Sequence, residues 1–219
     1  MGRFKLKIIK NFYNKIVKNL QGVVLETTSE KTQKENTDLI NPKKYEGTDV
    51  LEMFEDAYNY NGHILNCALK YLKPGKNTLD FGAGKGTFSR MLKGRGLSMS
   101  CVEKDPAMYE SLKKEFSHVY NDIDQVPDNS LDQVFSCNVL EHIENDQMVL
   151  KSLNRALNTN GLIYVYVPAH MFLYTKFDKR IGHVRRYSEK EIKLKFENAG
   201  FNIISCRQVD SLGVLATLL

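Results

Sequence analysis

Only four cysteines occur in 219 residues, Cys67, Cys101, Cys137 and Cys206, and no two of them have Cys-x-x-Cys spacing. That shortage argues against a disulfide framework or a zinc ribbon, and predicts reduced thiols in a reducing compartment. Runs of 18 or more apolar residues are also missing, which excludes a helix long enough to span a membrane. Lysines interrupt the N-terminal apolar residues throughout, so no secretory signal is expected and the predicted location is cytoplasmic. A chain of this length buries one sizeable core without staples.

Acidic residues are absent from the first 20 positions. Arg3, Lys5, Lys7, Lys10, Lys15 and Lys18 give that stretch +6 against +5 for the whole chain, which leaves the remainder at −1. The basic character therefore belongs to a tail, and a nucleic-acid-binding core is not indicated. In the tail Phe4, Ile8, Phe12, Ile16 and Leu20 recur every four residues opposite most of the lysines. Such a helix can lie in an anionic membrane interface as a peripheral contact, or pack on its own domain or a partner. From position 21 to 50 the sequence is polar and aperiodic and reads as a linker or lid segment. The main domain is expected over 51–219.

What is present in that domain is a strand, a glycine loop and an acid. Thr78-Leu79-Asp80-Phe81 runs into Gly82-Ala83-Gly84-Lys85-Gly86, and Glu103 follows 17 residues after Gly86, at the end of a second apolar run. Glycine at 82 and 84 leaves room for a ligand to approach the backbone, and Gly86 lets the next helix start tight against the sheet. A carboxylate at 103 is placed to accept hydrogen bonds from both hydroxyls of a ribose. The third glycine follows the second by two residues, whereas the dinucleotide fingerprint has three, so pyrophosphate binding is the less natural reading.

Alternating strands and helices complete the pattern. Asp105-Pro106 and Ser188-Glu189-Lys190-Glu191 are helix-start signals, while Asn160-Gly161 and Gly200 are stop signals. Strands separated by single helices predict an α/β fold, a doubly wound, mostly parallel Rossmann-like sheet that binds ligand at the carboxyl ends of its strands.

With these residues in place, the chain resembles the class I S-adenosylmethionine-dependent methyltransferases over about residues 50–217. Asp122 follows the third strand. Asn138-Val139-Leu140-Glu141-His142-Ile143 follows the fourth, and Gly182-His183-Val184-Arg185-Arg186-Tyr187 comes after the fifth. The latter two motifs are similar to those of a bacterial branch often found in polysaccharide biosynthesis.

The resemblance implies S-adenosyl-L-methionine as cofactor, held by Asp80, Gly82, Ala83, Gly84, Gly86, Glu103, Lys104, Asp122, Ile123 and Asn138. For Asp122 a helix cap or turn is the alternative role. It implies transfer to oxygen of a small or lipid-linked glycan precursor, with His142 and His183 as candidate catalytic groups and Arg185, Arg186 and Tyr187 as candidate acceptor ligands. His142 read otherwise is a helix-start residue bonded to backbone, and His183 with the arginines is otherwise a tie for a cap loop. A quinone-like acceptor, or a cofactor-binding regulator without turnover, are the competing functions.

Glu141-His142 with His183 is also similar to the metal site of small-RNA 2′-O-methyltransferases and ubiquinone-pathway O-methyltransferases. Those families place a further glutamate where this chain has Asn138, and no metal is expected. The family's last antiparallel strand has no counterpart before Leu219, so truncation or cover from another segment is expected. Oligomeric state is open.

Overall fold

The computed structural model of the chain describes residues 23–27 and 58–207. The basic tail at 1–20, most of the linker or lid and the apolar run at 212–219 lie outside the described residues. Among these residues, no helix is long and apolar enough to cross a membrane.

Among the described residues seven strands form one sheet: β1 (Val23–Thr27), β2 (Asn77–Phe81), β3 (Ser98–Val102), β4 (Val119–Tyr120), β5 (Leu131–Cys137), β6 (Leu157–Tyr166) and β7 (Phe201–Ser205). Their spatial order is β4-β3-β2-β5-β6-β1-β7. The five strands from β4 to β6 pair in parallel, as the alternating pattern predicts. Chain order reverses between β2 and β5, which makes the carboxyl ends of those two strands the place for a ligand.

Val23–Thr27 answers to the second of the two expectations, cover from another segment. This segment, read as part of a linker or lid, pairs antiparallel with β6 on one side and with β7 on the other. It occupies the antiparallel slot that the family resemblance left vacant. A Val-Val-Leu-Glu-Thr run has strand propensity, but its partners lie more than a hundred residues downstream, so no local signal marks it.

Helices α1 (Tyr58–Ala68), α2 (Thr87–Lys93), α3 (Pro106–Leu112), α4 (Asp146–Ala156), α5 (Lys176–Arg180) and α6 (Glu189–Asn198) cover the sheet. Adjacent residues of β5 serve opposite faces: Val134 packs among Leu150, Leu153, Ile192 and Phe196, while Phe135 packs among Ile64, Leu65, Leu72 and Leu92. Burial on both sides is what a central parallel strand requires.

Helix-start signals hold where they were read. The Asp105 carboxylate accepts from the Ala107 and Met108 amides, and Ser188 Oγ accepts from the Glu191 amide. Asn160-Gly161 is different from its reading as a helix stop. It lies within β6, where Asn160 has φ +62° and pairing with β5 shifts register. All four cysteines are free.

Candidate cofactor and acceptor site

The glycine loop leaves β2 at the switch point. Gly82 has φ +77°, and a Cβ there would stand 2.4 Å from Val139 Cγ2, so contact with the β5 exit, as well as ligand access, demands glycine. The Gly82 and Ala83 amides donate to the Val102 carbonyl. A Cβ at Gly86 would stand 2.7 Å from Leu112 Cδ2, so this glycine lets α2 pack against α3.

Glu103 closes the loop against β3. Its Oε2 accepts from the Gly84 amide at 2.6 Å and its Oε1 from the Asp105 amide at 2.8 Å. Burial pushes its pKa up, opposed by those two amides. A carboxylate has about four lone-pair sites, so two bonds leave acceptor capacity at the loop. Lys104 and Asp122 form an ion pair at 3.0 Å on the rim. Asp122 also caps the turn Ile123–Gln125 through the Asp124 amide, which is the alternative role read for it. Ile123 is buried in the main core.

Asp80 lies beneath the loop, 2 % exposed, with Ser89 Oγ donating to it at 2.5 Å. Burial raises its pKa to about 7; the Glu103 charge adds to the rise and the Ser89 bonds oppose it. The fold therefore binds this proton more tightly than the unfolded chain, whose value is near 3.8, and loses stability as pH rises from about 4 to about 7. Urea denaturation across that range is expected to show wild type losing up to roughly 1.4 kcal/mol per pH unit relative to Asp80→Asn. Parallel pH profiles for the two proteins would sink the assignment.

Beyond β5 the chain turns sharply. Asn138 has φ +55°, a conformation asparagine tolerates, and its amide still donates to the Tyr166 carbonyl. The turn Leu140–His142 follows at once, with Val139 over Gly82. The sharp exit thus joins the loop side of the cleft to the histidine side.

His142 and His183, 41 positions apart, stand with ring centroids 4.7 Å apart at 77°. Burial first, then the neighbouring His183, lowers the His142 pKa to about 4, against a hydrogen bond with the Gly182 backbone. Burial also lowers the His183 pKa, against Asp178.

His183 is fixed at three points. Its amide donates to the Asp178 carbonyl, its carbonyl accepts from Tyr174 Oη at 2.6 Å, and its Nδ1 lies 2.8 Å from Asp178 Oδ1. Burial alone would raise the Asp178 pKa, but hydrogen bonds from Arg186, the Thr175 amide and His183 bring it down to about 2. An ionised carboxylate only accepts, so Nδ1–H donates and the Nε2 lone pair faces Glu141 Oε1, 3.7 Å away.

The candidate acceptor ligands are engaged in bonds within the chain. Arg185 donates to Asp146 at 2.6 Å and to the Glu144 carbonyl at 2.8 Å. Arg186 grips Asp178 with Nε at 2.8 Å and Nη2 at 3.0 Å. Tyr187 is 2 % exposed, with its hydroxyl 2.9 Å from Asp146 Oδ2 and 3.0 Å from the Leu140 carbonyl. Asp146 and Asp178, both buried, take bonds from these side chains, an arrangement that agrees with the cap-loop alternative. Sequence reasoning missed those acids, and also missed that Glu141 is wholly buried beside the two histidines.

A protein-family profile described as a methyltransferase domain matches residues 53–206. Over 95 residues the chain is 34% identical to a malonyl-[acyl-carrier protein] O-methyltransferase of Serratia marcescens; the match takes in 41% of this chain and 37% of that relative. The chain thus spans little more than a third of the curated relative it matches.

Among solved structures, it is similar to a chain of the complex between the Trm112 methyltransferase activator and a methyltransferase of Haloferax volcanii (TM-score 0.62, 17% identity, 77% of this chain and 81% of that one). It is also similar to a SAM-dependent methyltransferase of Aquifex aeolicus (0.57, 18%, 72% and 89%) and one of Archaeoglobus fulgidus (0.56, 19%, 68% and 73%). These structures share the α/β fold seen here. The profile takes in the glycine loop, Glu103 and both histidines over well more than half of the sequence, and the chain belongs to the methyltransferase-domain family.

Proposed function

We propose that this enzyme methylates an oxygen atom of a small or lipid-linked glycan precursor, using S-adenosylmethionine. One observation carries the reading: the loop held by Glu103 and the pair His142 and His183 meet at a single edge of the sheet, joined where Val139 covers Gly82. The residues fit an adenosyl cofactor. Glu103 keeps lone pairs for ribose hydroxyls, and the chain turns at Asn138, with φ +55°, at the carboxyl end of β5. The chemistry supplied by bound S-adenosylmethionine is an electrophilic methyl carbon on a positive sulfur.

The chain's own task is to align an acceptor oxygen and lower the cost of its proton. The neutral imidazoles offer lone pairs for that proton. Oxygen as the target agrees with the curated relative, which is named an O-methyltransferase. A lipid part is supported by Met171, Phe172 and Phe177, which are 53 %, 69 % and 56 % exposed on the loop region that carries His183. Residues 1–20 would add peripheral membrane contact to that surface. The glycan part rests on the resemblance of the 138–143 and 182–187 motifs.

Calorimetric titration tests the cofactor half. S-adenosylhomocysteine is expected to bind at micromolar affinity or better, NAD not at all, and Glu103→Ala to weaken binding by about 1–3 kcal/mol through lost charged hydrogen bonds. Unchanged affinity in a folded Glu103→Ala protein would remove the ribose assignment. Binding of NAD alone would overturn the reading.

A further inference from the structure

We propose that Glu141, His142 and His183 hold a divalent first-row transition-metal ion on the acceptor side of the cleft. The inference deepens the methyl-transfer reading and rests on it only for what the ion does. One ligand atom from each of the three residues can be chosen so that all lie within 4.8 Å of one another. Donors around such an ion at about 2.0–2.2 Å stand roughly 3–3.5 Å apart, so modest side-chain rotation closes the set.

Glu141 supplies the independent sign. It is 0 % exposed, and neither carboxylate oxygen accepts a hydrogen bond from another residue, its own backbone amide favouring its charged form. Its Oε1 lies 3.7 Å from His183 Nε2. Buried polar groups are almost always satisfied, and an unsatisfied one calls for an explanation such as an ion.

The surroundings have the form of a supporting shell. Asp178 fixes the tautomer of His183 and is gripped in turn by Arg186, the carboxylate–histidine arrangement that orients metal ligands. The Val184 amide donates to the Glu141 carbonyl at 2.8 Å, which pins the loop over the acid. Gly182 backbone engages His142.

Two imidazoles and one carboxylate suit Zn²⁺, Mn²⁺, Fe²⁺ or Co²⁺ and are poor for Mg²⁺ or Ca²⁺, which prefer oxygen. Three protein ligands leave a position open for the acceptor oxygen. The acceptor hydroxyl binds there and loses its proton to water. As its oxygen forms a bond to the methyl carbon, the carbon–sulfur bond breaks with its electron pair going to sulfur. Nothing is oxidised or reduced. As ligands the imidazoles then hold the ion and take no proton.

The test uses the full chain, stripped with EDTA and titrated with CoCl₂ by visible absorption and with ZnCl₂ and MgCl₂ by calorimetry. One equivalent of Co²⁺ or Zn²⁺ is expected to bind at micromolar affinity or better, and Mg²⁺ at least 100-fold more weakly. Glu141→Gln is expected to weaken Co²⁺ binding at least 100-fold. His63→Ala, which removes the histidine beside Cys67, should leave it unchanged. If Glu141→Gln does not fold, as judged by circular dichroism, His142→Ala carries the same comparison.

No Co²⁺ or Zn²⁺ bound at 100 µM, or equal affinity in the folded variant, overturns the site. S-adenosylhomocysteine titration of the stripped protein separates the two readings. Loss of that binding sinks the cofactor assignment without touching the ion, and absence of the ion leaves the cofactor assignment standing.

Discussion

Replacing His183 with alanine is expected to cut methyl transfer roughly 100- to 10,000-fold while leaving S-adenosylhomocysteine affinity within about twofold, the range for losing one positioned proton-transfer group. The two effects separate because the cofactor residues sit on β2, in the loop between β2 and α2, and just after β3, β4 and β5, whereas His183 comes from the loop after α5. Its Nε2 points to Glu141, away from Asp178. The loss is expected whether that lone pair takes a proton or holds an ion.

Measurement begins with the wild type and labelled S-adenosylmethionine against lipid-linked sugars, quinone-like phenols and a malonyl thioester. The variant is then assayed on whichever acceptor is methylated. A variant with wild-type turnover would show that His183 is only part of the loop's packing.

How much of this site the sequence disclosed depended on distance along the chain. The glycine loop and Glu103 were legible because their spacing is short and the backbone geometry there admits few residue types. Asp105 and Ser188 were legible as caps for the same reason, since a cap acts on amides two or three residues away.

Arg185 reads as an acceptor ligand because its planar guanidinium matches carboxylate and phosphate groups. In the fold it donates to Asp146, 39 positions upstream, and no local pattern links the two. Asp178 was equally silent. It reads as a surface acid in a lysine-rich helix, Lys176-Phe177-Asp178-Lys179-Arg180, yet it is 0 % exposed. The histidines were singled out as candidates, but only the fold brings them together with a buried acid, Glu141. Strand β1, inserted between β6 and β7, escaped the sequence reading for the same reason at greater range.

Asp178 gives the second large effect. Its carboxylate takes two bonds from Arg186 and one from His183, and it completes a capping box with Thr175 at the start of α5. Asp178→Ala would leave a largely buried guanidinium, 19 % exposed, with its charge uncompensated, and breaking such a pair costs about 3–5 kcal/mol. The expected result is a lower urea midpoint with an unchanged slope.

Asp178→Asn separates charge from shape. The amide keeps one oxygen that can accept from His183, so His183 retains its tautomer in part, but the two-point grip of Arg186 is lost. This variant should be less destabilised than Asp178→Ala and should transfer methyl groups better. The pKa of Asp178, drawn down to about 2, adds a pH signature. Stability from this group is present above the ordinary carboxylate value near 4 and is lost as pH falls toward 2. Wild type should therefore converge on Asp178→Asn in acid. If the gap between them stays constant from pH 6 to pH 2, the carboxylate charge contributes nothing, and the loop is held by its backbone bonds and by packing.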